Sequence, residues 1–159
     1  MSVVIREAEL SDVPVIADLI RGLARFENLA DDVRMTEELL AKNLYGPRRY
    51  AETLIAEESG SPAGFALFFH NFSTFLAKPG IYLEDLFVVP EQRGHGVGRA
   101  LLQRLAHIAV ERECGRLEWA VLDWNRDAIG FYERLGAKPN SEWTVYRLTG
   151  EALTSLGRE

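Results

Sequence analysis

The chain has 159 residues, of which 47% are hydrophobic and 26% are charged. A globular chain of this length buries about 70% of the surface that it exposes when unfolded, so a hydrophobic core is expected and intrinsic disorder is excluded. The 24 acidic residues outnumber the 18 Lys and Arg residues and give a formal charge of -6, which argues against nucleic acid as a ligand. This surplus suits a cationic substrate, although solubility alone also accounts for it.

Several classes of protein are excluded by what the sequence lacks. No apolar run approaches the 18 or so residues that a membrane span needs. The start of the chain has no basic region followed by a long apolar stretch, so no signal peptide is predicted. Cys114 is the only cysteine, which excludes an internal disulfide and a thiolate metal cluster. We therefore expect a single domain over 1–159, located in the cytoplasm and not at a membrane.

The first elements predicted along the chain are a strand and two helices. The strand covers 3–8 and is rich in β-branched residues. Apolar residues then recur at helical spacing over 11–26, with Ser11 as the expected N-cap. A second helix is predicted over 36–44, because Thr36 suits a cap and two glutamates occupy the first turn.

The middle of the chain predicts strands. Two apolar runs, 52–57 and 63–69, are separated by the turn residues 59–62, which indicates a hairpin. A loop is predicted over 71–80, followed by a strand over 81–89.

The last part of the chain alternates helices and strands. An amphipathic helix is predicted over 99–112 and a strand over 117–122. Asn125 opens a further helix, and Gly136 closes it as a glycine after the C-cap. The final strand is predicted over 143–148, followed by a short helix. The resulting order β-α-α-β-β-β-α-β-α-β predicts an α/β (mixed α+β) fold, with a mixed sheet and helices on both faces.

The sharpest local motif is the glycine-rich segment 93–99, which joins a strand to a helix N-terminus. Free amides and the helix dipole favour an anion there, and glycines let the backbone approach a diphosphate. The Walker motif does not fit, because no Gly-Lys-Ser/Thr closes the loop. The dinucleotide fingerprint does not fit either, because Arg99 occupies the place of its third glycine. Arg93, Gly96 and Gly98 do match the acetyl-coenzyme A loop, Arg/Gln-x-x-Gly-x-Gly/Ala.

With this loop the chain resembles the GNAT superfamily of acetyltransferases over nearly its whole length. It is most similar to the diamine acetyltransferases, especially their thialysine N-acetyltransferase branch, in the stretches 24–29, 82–85 and 120–125. The resemblance implies a mostly antiparallel, twisted central sheet, acetyl-CoA as co-substrate with no metal, and a homodimer. It also implies direct transfer of an acetyl group, within a ternary complex, to a small primary amine: a diamine, a polyamine or a thialysine-like amino acid.

Two other functions remain open at this stage. One is acetylation of a protein N-terminus or lysine, for which an open groove beside the cofactor would be typical. The other is a non-catalytic acyl-CoA sensor that keeps the fold. Retention of both Glu84 and Tyr132 argues against the sensor.

The resemblance implies a cofactor site made of backbone groups. Strand residues are expected to pair with the pantetheine arm, loop amides to hold the pyrophosphate, and the start of the following helix to contact the arm from the opposite side. These residues are Leu86, Phe87, Val88, Arg93, Gly94, His95, Gly96, Val97, Gly98, Arg99, Asn125, Arg126, Asp127, Ala128 and Tyr132.

The resemblance also implies two catalytic residues. Glu84 faces the amine and accepts its proton, and we expect desolvation within an apolar strand to raise the pKa of Glu84. Tyr132 is the general acid that protonates the departing thiolate. The alternatives are a structural carboxylate for Glu84 and a core residue for Tyr132, whose helical spacing suits packing. Asp85 is interpreted as a residue that caps or pairs locally.

The remaining implied residues bind substrate. They comprise Phe26, Glu27, Glu84, Glu118, Trp119, Ala120 and Glu142. Three of them are carboxylates besides Glu84, which fits a cationic amine.

Overall fold

The computed structural model describes residues 3–159. Met1 and Ser2, the first residues of the segment in which no signal peptide is predicted, lie outside the described residues. The chain forms two compact units, the first ending at Ala120 and the second spanning Val121–Glu159. The expectation of one domain over the whole chain stays a prediction.

The first unit is built on a five-stranded sheet in the order β1-β2-β3-β4-β5. The strands are β1 (Val3–Glu7), β2 (Glu52–Glu58), β3 (Ser61–Ser73), β4 (Lys78–Val88) and β5 (Leu117–Trp119). The first four are antiparallel neighbours in chain order, and β5 lies parallel to β4. The predicted mixed, mostly antiparallel sheet is confirmed.

Three helices accompany this sheet: α1 (Val13–Phe26), α2 (Glu37–Tyr45) and α3 (Val97–Glu111). The Thr36 hydroxyl accepts a hydrogen bond at 3.1 Å from the amide three residues on, so the predicted cap of α2 is confirmed. The predicted cap of α1 is wrong. A 3-10 turn, Leu10–Asp12, includes Ser11, and Asp12 occupies the N-cap position, with its carboxylate 2.8 Å from Arg6.

Helices cover both faces of the sheet, as predicted. On one face, Leu19 and Leu23 of α1 pack against Phe65 and Phe87. Successive strand residues point to opposite faces, and residues 53–56 of β2 are all buried, so the other face is covered as well. The helix α3 contacts all four antiparallel strands and provides this cover.

The β3–β4 hairpin is longer than the sequence predicts. Residues 71–73 and 78–80, expected in a loop, pair across the hairpin with Phe72 opposite Pro79. Gly80 indicates a turn by composition but lies within β4, where a Cβ atom would collide with the Asn71 side chain. Side-chain packing against the strand, not a turn, therefore favours a glycine here.

The second unit contains α4 (Arg126–Arg134) and α5 (Gly150–Leu156). The Asn125 side chain accepts a hydrogen bond at 3.3 Å from the Ala128 amide and caps α4. Gly136 has φ +93 and ends this helix. Both predicted helix boundaries are confirmed.

The predicted strand over 143–148 is wrong. These residues have irregular backbone, and Trp143, Val145 and Tyr146 are all exposed. A strand needs a hydrogen-bonded neighbour, and within Val121–Glu159 the structure describes no strand that could pair with it.

Within residues 3–159, every helix falls short of the length and apolar content that would let it cross a membrane. The cytoplasmic location expected from the sequence stays a prediction.

Candidate active site

The glycine-rich loop lies between the end of β4 and the start of α3. A short 3-10 turn, Pro90–Gln92, leads from the strand into the loop. Gly94 and Gly96 have φ +81 and +82, and a Cβ atom added to either would meet nothing within 4 Å. The two glycines therefore supply a left-handed backbone and leave open space above it.

The first turn of α3 offers unpaired amides to this space. Gly96 is the N-cap residue and has no side chain with which to cap the helix. The first amides of an α-helix have no partner within the helix and lie at the positive end of its dipole. The open loop and the uncapped helix start together form a site for an anion such as a diphosphate.

Beside the loop, β4 has an unpaired edge. β5 pairs with β4 only as far as Trp119 opposite Leu83, whereas β4 continues to Val88. Among the described strands, none pairs with residues 84–88 on that side. Apart from the Val88 carbonyl, which accepts a hydrogen bond from Arg93, the backbone of the predicted cofactor strand at 86–88 is thus available to an extended ligand on its outer edge.

A β-bulge interrupts β4 at Glu84. Leu67 lies opposite Asp85 and the next residue, Phe68, lies opposite Leu83, so Glu84 has no partner on β3. The extra residue reverses the alternation of side chains. As a result Asp85 shares the face of Leu67, on which α1 packs, while the Glu84 side chain is exposed.

The exposure of Glu84 corrects the prediction that this carboxylate is desolvated within an apolar strand. The carboxyl group that the protein desolvates is the neighbouring one, because the bulge turns Asp85 toward α1. The pKa of Asp85 is raised to about 6, first by burial and then by repulsion from Glu84 and Glu27. Burial also raises the pKa of Glu27.

The structure therefore brings together three carboxyl groups, which we call the acidic cluster: Glu27, Glu84 and Asp85. Glu27 directly follows α1, and the other two lie at the bulge of β4. Both neighbouring charges that act on Asp85 are negative. An alkylammonium ion would relieve this repulsion, so the cluster suits a cationic ligand.

We expect Asp85→Asn to stabilise the protein at pH 7 by about 3 kcal/mol. That is the free energy that corresponds to raising the pKa of Asp85 from 3.8 to about 6, and the amide does not ionise. The folded chain binds the Asp85 proton more tightly than the unfolded chain does, so the free energy of unfolding falls as pH rises from about 4 to about 6. The gain should therefore be full above pH 6 and vanish near pH 4. Denaturant unfolding at both pH values measures it, with Glu142→Gln as the exposed control outside the acidic cluster, expected within about 0.5 kcal/mol of wild type. A variant less stable than wild type at pH 7 would contradict the burial of an ionised Asp85.

Residues of β5 were predicted to face the substrate. The Glu118 carboxylate lies 2.9 Å from the Arg116 guanidinium and accepts a hydrogen bond at 3.0 Å from Asn71. The hydrogen bond from Asn71 connects β5 to β3. Trp119 is half-buried and Ala120 is exposed where β5 ends. Substrate binding by these three residues stays a prediction.

The second unit carries the other predicted residues. Arg126, Asp127 and Ala128 form the first turn of α4, and Tyr132 lies one turn later, half-buried, with its ring centroid 5.6 Å from that of Phe131. Glu142 lies in an exposed turn. Their roles in cofactor and substrate binding stay predictions.

Among residues 3–159, no three or more His, Cys, Asp or Glu side chains are grouped in a way that could hold a metal ion. Cys114 is half-buried.

Residues 19–137 match the family model for the acetyltransferase (GNAT) family. The chain belongs to the GNAT acetyltransferase family. This match runs across the boundary between the two units and confirms the resemblance based on the glycine loop. The chain is accordingly an N-acetyltransferase, and its family uses acetyl-CoA as co-substrate.

Curated relatives and a solved structure agree with this assignment. A thialysine N-epsilon-acetyltransferase of Bos taurus is 38% identical to this acetyltransferase, over 97% of this chain and 96% of the relative. An L-ornithine N5-acetyltransferase of Arabidopsis thaliana is 35% identical, over 97% of this chain and 87% of the relative. The structure of an integron cassette protein from V. cholerae superposes with a TM-score of 0.83 and 29% identity, over 100% of this chain and 99% of that one.

The sequence did not predict that Asp85 belongs to the acidic cluster. Its position after Glu84 in a regular strand places it on the opposite face, where it was interpreted as a residue that caps or pairs locally. The β-bulge at Glu84 reverses this alternation, and it arises from the register between β3 and β4. No pattern of residues within 81–89 alone predicts this bulge.

Proposed function

We propose that this enzyme transfers the acetyl group of acetyl-CoA to the primary amine of a small molecule, a diamine, polyamine or thialysine-like amino acid, by direct transfer in a ternary complex. The observation that carries the proposal is the acidic cluster beside the open edge of β4. The names of the thialysine and ornithine acetyltransferase relatives support the same class of acceptor.

The first unit fits acetyl-CoA at two places. The amides of Gly94 to Arg99 would hold its pyrophosphate, since Gly94 and Gly96 leave the space above them open. The outer backbone edge at Leu86, Phe87 and Val88 would pair with its pantetheine arm. When bound, the co-substrate supplies an acetyl thioester, whose carbonyl carbon is the electrophile.

In this proposal the acidic cluster removes a proton from the amine. An alkylammonium group has a pKa near 10.4, so only about one molecule in 2,500 is the free amine at pH 7, a handicap of about 4.6 kcal/mol. Glu84 is exposed at the bulge and accepts that proton directly or through water. Glu27 and Asp85 add negative charge that attracts the ammonium form, and Phe26 lies next to Glu27 at the end of α1.

The family resemblance assigns the remaining roles. Tyr132 donates its hydroxyl proton to the departing sulfur. Asn125, Arg126, Asp127 and Ala128 contact the pantetheine arm, and Glu142 contributes to the amine pocket. The same resemblance assigns Glu118, Trp119 and Ala120 to the strand edge that faces the substrates.

An amine panel tests the acceptor. Free thiol released from acetyl-CoA is measured with diamines, polyamines, lysine analogues, a peptide with a free N-terminus and a peptide containing lysine. We expect turnover with small amines and little with peptides. Turnover with a peptide alone would favour the protein-acetyltransferase alternative. Tight coenzyme A binding without turnover on any amine would favour the sensor.

We expect Gly96→Glu to lower coenzyme A affinity at least tenfold. The substitution places a side chain and a negative charge in the open space above the loop, where the pyrophosphate would lie. Calorimetric titration with coenzyme A measures the loss. Gly60→Glu is the matched control, because Gly60 also has a left-handed φ, +83, with nothing within 4 Å, but lies in the β2–β3 turn. Wild-type affinity in Gly96→Glu would show that the loop does not hold the pyrophosphate.

Two features of assembly complete the proposal. The whole chain, 1–159, acts as a single acetyltransferase domain, which the family match across both units supports.

The protein is a homodimer, an arrangement implied by the resembling branch, and the exposed apolar residues Trp143, Val145 and Tyr146 provide surface for it. Light scattering at micromolar concentration should give twice the mass of one chain.

A further inference from the structure

Arg93, the first residue of the glycine motif, extends its side chain back toward β4 and α1. Its Nε donates a hydrogen bond at 3.1 Å to the carbonyl oxygen of Val88. Its guanidinium carbon lies 4.5 Å from the centroid of the Phe26 ring and 5.7 Å from that of Phe87. One side chain thus contacts the end of a strand and the last residue of a helix.

The Val88 carbonyl lies on the open edge of β4. The Val89 amide donates a hydrogen bond at 2.9 Å to Ala63 of β3. The C=O and N–H groups of one trans peptide unit point in opposite directions, so the Val88 oxygen points away from β3. That is the side on which β5 leaves β4 unpaired, and Arg93 therefore binds the strand edge beside the cofactor loop.

The two rings belong to different parts of the site. Phe87 is part of the buried cluster under α1. Phe26 is 38% exposed and is the last residue of α1, immediately before Glu27 of the acidic cluster. The Arg93 guanidinium consequently connects the start of the glycine loop with the helix end that carries part of the acidic cluster.

We propose that Arg93 is a positioning residue that couples the cofactor loop to the amine side of the site through its stacking on Phe26. This inference rests on the proposed function. The stacked guanidinium holds the loop and the end of α1 in one arrangement, so ordering of either favours ordering of the other. We therefore expect a change at Phe26 to alter coenzyme A affinity, because the guanidinium that stacks on this ring belongs to the first residue of the proposed cofactor loop.

A double-mutant cycle read by calorimetric titration with coenzyme A tests the coupling in the full chain without any amine. We expect Phe26→Leu to weaken binding about two- to fivefold, the usual strength of a cation–π contact at an exposed site. In the Arg93→Met background, the same Phe26→Leu change should cause no further loss. Phe26→Tyr keeps the ring face and should retain wild-type affinity.

Two further variants separate positioning from charge. Arg93→Lys keeps the positive charge but loses the planar guanidinium and the Nε–H donor to Val88, so it should greatly reduce the effect of Phe26→Leu. Arg99→Met removes a positive charge from the first turn of α3, and its loss of affinity should add to that of Phe26→Leu.

The inference is overturned if Arg93→Lys restores wild-type affinity, since Arg93 would then be only a counter-charge for phosphate. It is overturned equally if Phe26→Leu and Arg93→Met are additive while wild type binds coenzyme A. A wild-type chain that fails to bind coenzyme A refutes the proposed function itself and this inference with it.

Discussion

Tyr132→Phe is expected to lower turnover by about 10²–10⁴-fold and to leave coenzyme A affinity unchanged. The substitution removes one hydroxyl group, and a positioned general acid typically contributes a rate factor of this size. The side chain is half-buried on α4 beside Phe131, so the phenyl ring of the variant keeps the same packing. Steady-state rates from pH 6 to 9 and a calorimetric titration measure the two quantities.

The matched control is Tyr50→Phe, which removes a hydroxyl from an exposed residue outside the predicted site and the proposed dimer surface. It should leave both turnover and affinity unchanged. Wild-type rates for Tyr132→Phe over the whole pH range would contradict the general-acid role. Tyr132 would then be a packing residue, which its helical spacing also allows.

Glu84→Gln is expected to lower turnover about 10²-fold or more at pH 7 and to recover part of it as pH rises toward the pKa of the amine. The amide keeps the shape of the carboxylate but does not accept the proton of the ammonium group. At high pH the amine arrives already deprotonated, so the base matters less. A pH–rate profile of kcat and kcat/KM from pH 6 to 10 measures this dependence.

Asp85→Asn is the matched comparison, because it removes the adjacent carboxylate of the acidic cluster. We expect a smaller loss at pH 7 and the disappearance of an inflection near pH 6, where Asp85 ionises in the wild type. A larger loss in Asp85→Asn than in Glu84→Gln would assign the base to Asp85. A wild-type profile in Glu84→Gln would leave Glu84 as a structural carboxylate. The effects of substituting coupled residues are not additive, so a double variant would not separate the contributions of Glu84 and Asp85.

Local patterns predicted much of the fold. Thr36 and Asn125 cap α2 and α4, and Gly136 ends α4, because each of these features depends on a few neighbouring residues. The glycine loop was likewise visible in the chain, since left-handed positions such as Gly94 and Gly96 need glycine whatever surrounds them. Family membership followed from this loop and the strand before it.

Elements that depend on a distant partner were predicted less well. The segment 143–148 has the composition of a strand, but backbone pairing requires a neighbour that composition does not supply. β5 ends at Trp119, three residues earlier than predicted, and its early end leaves the β4 edge open beside the loop. Gly80 was interpreted as a turn residue and lies inside a strand, because Asn71 approaches it across the hairpin.

The sequence by itself predicted the glycine loop and the helix caps, because these features act over a single turn of backbone, and the family was predicted through the resemblance that this loop carries. The tertiary structure alone decided which carboxyl group is buried. The register between β3 and β4 places a bulge at Glu84, which exposes that residue and turns Asp85 toward α1, and burial beside Glu27 and Glu84 then raises the pKa of Asp85 to about 6. Desolvation depends on which residues surround a group, and residues distant in sequence set those surroundings.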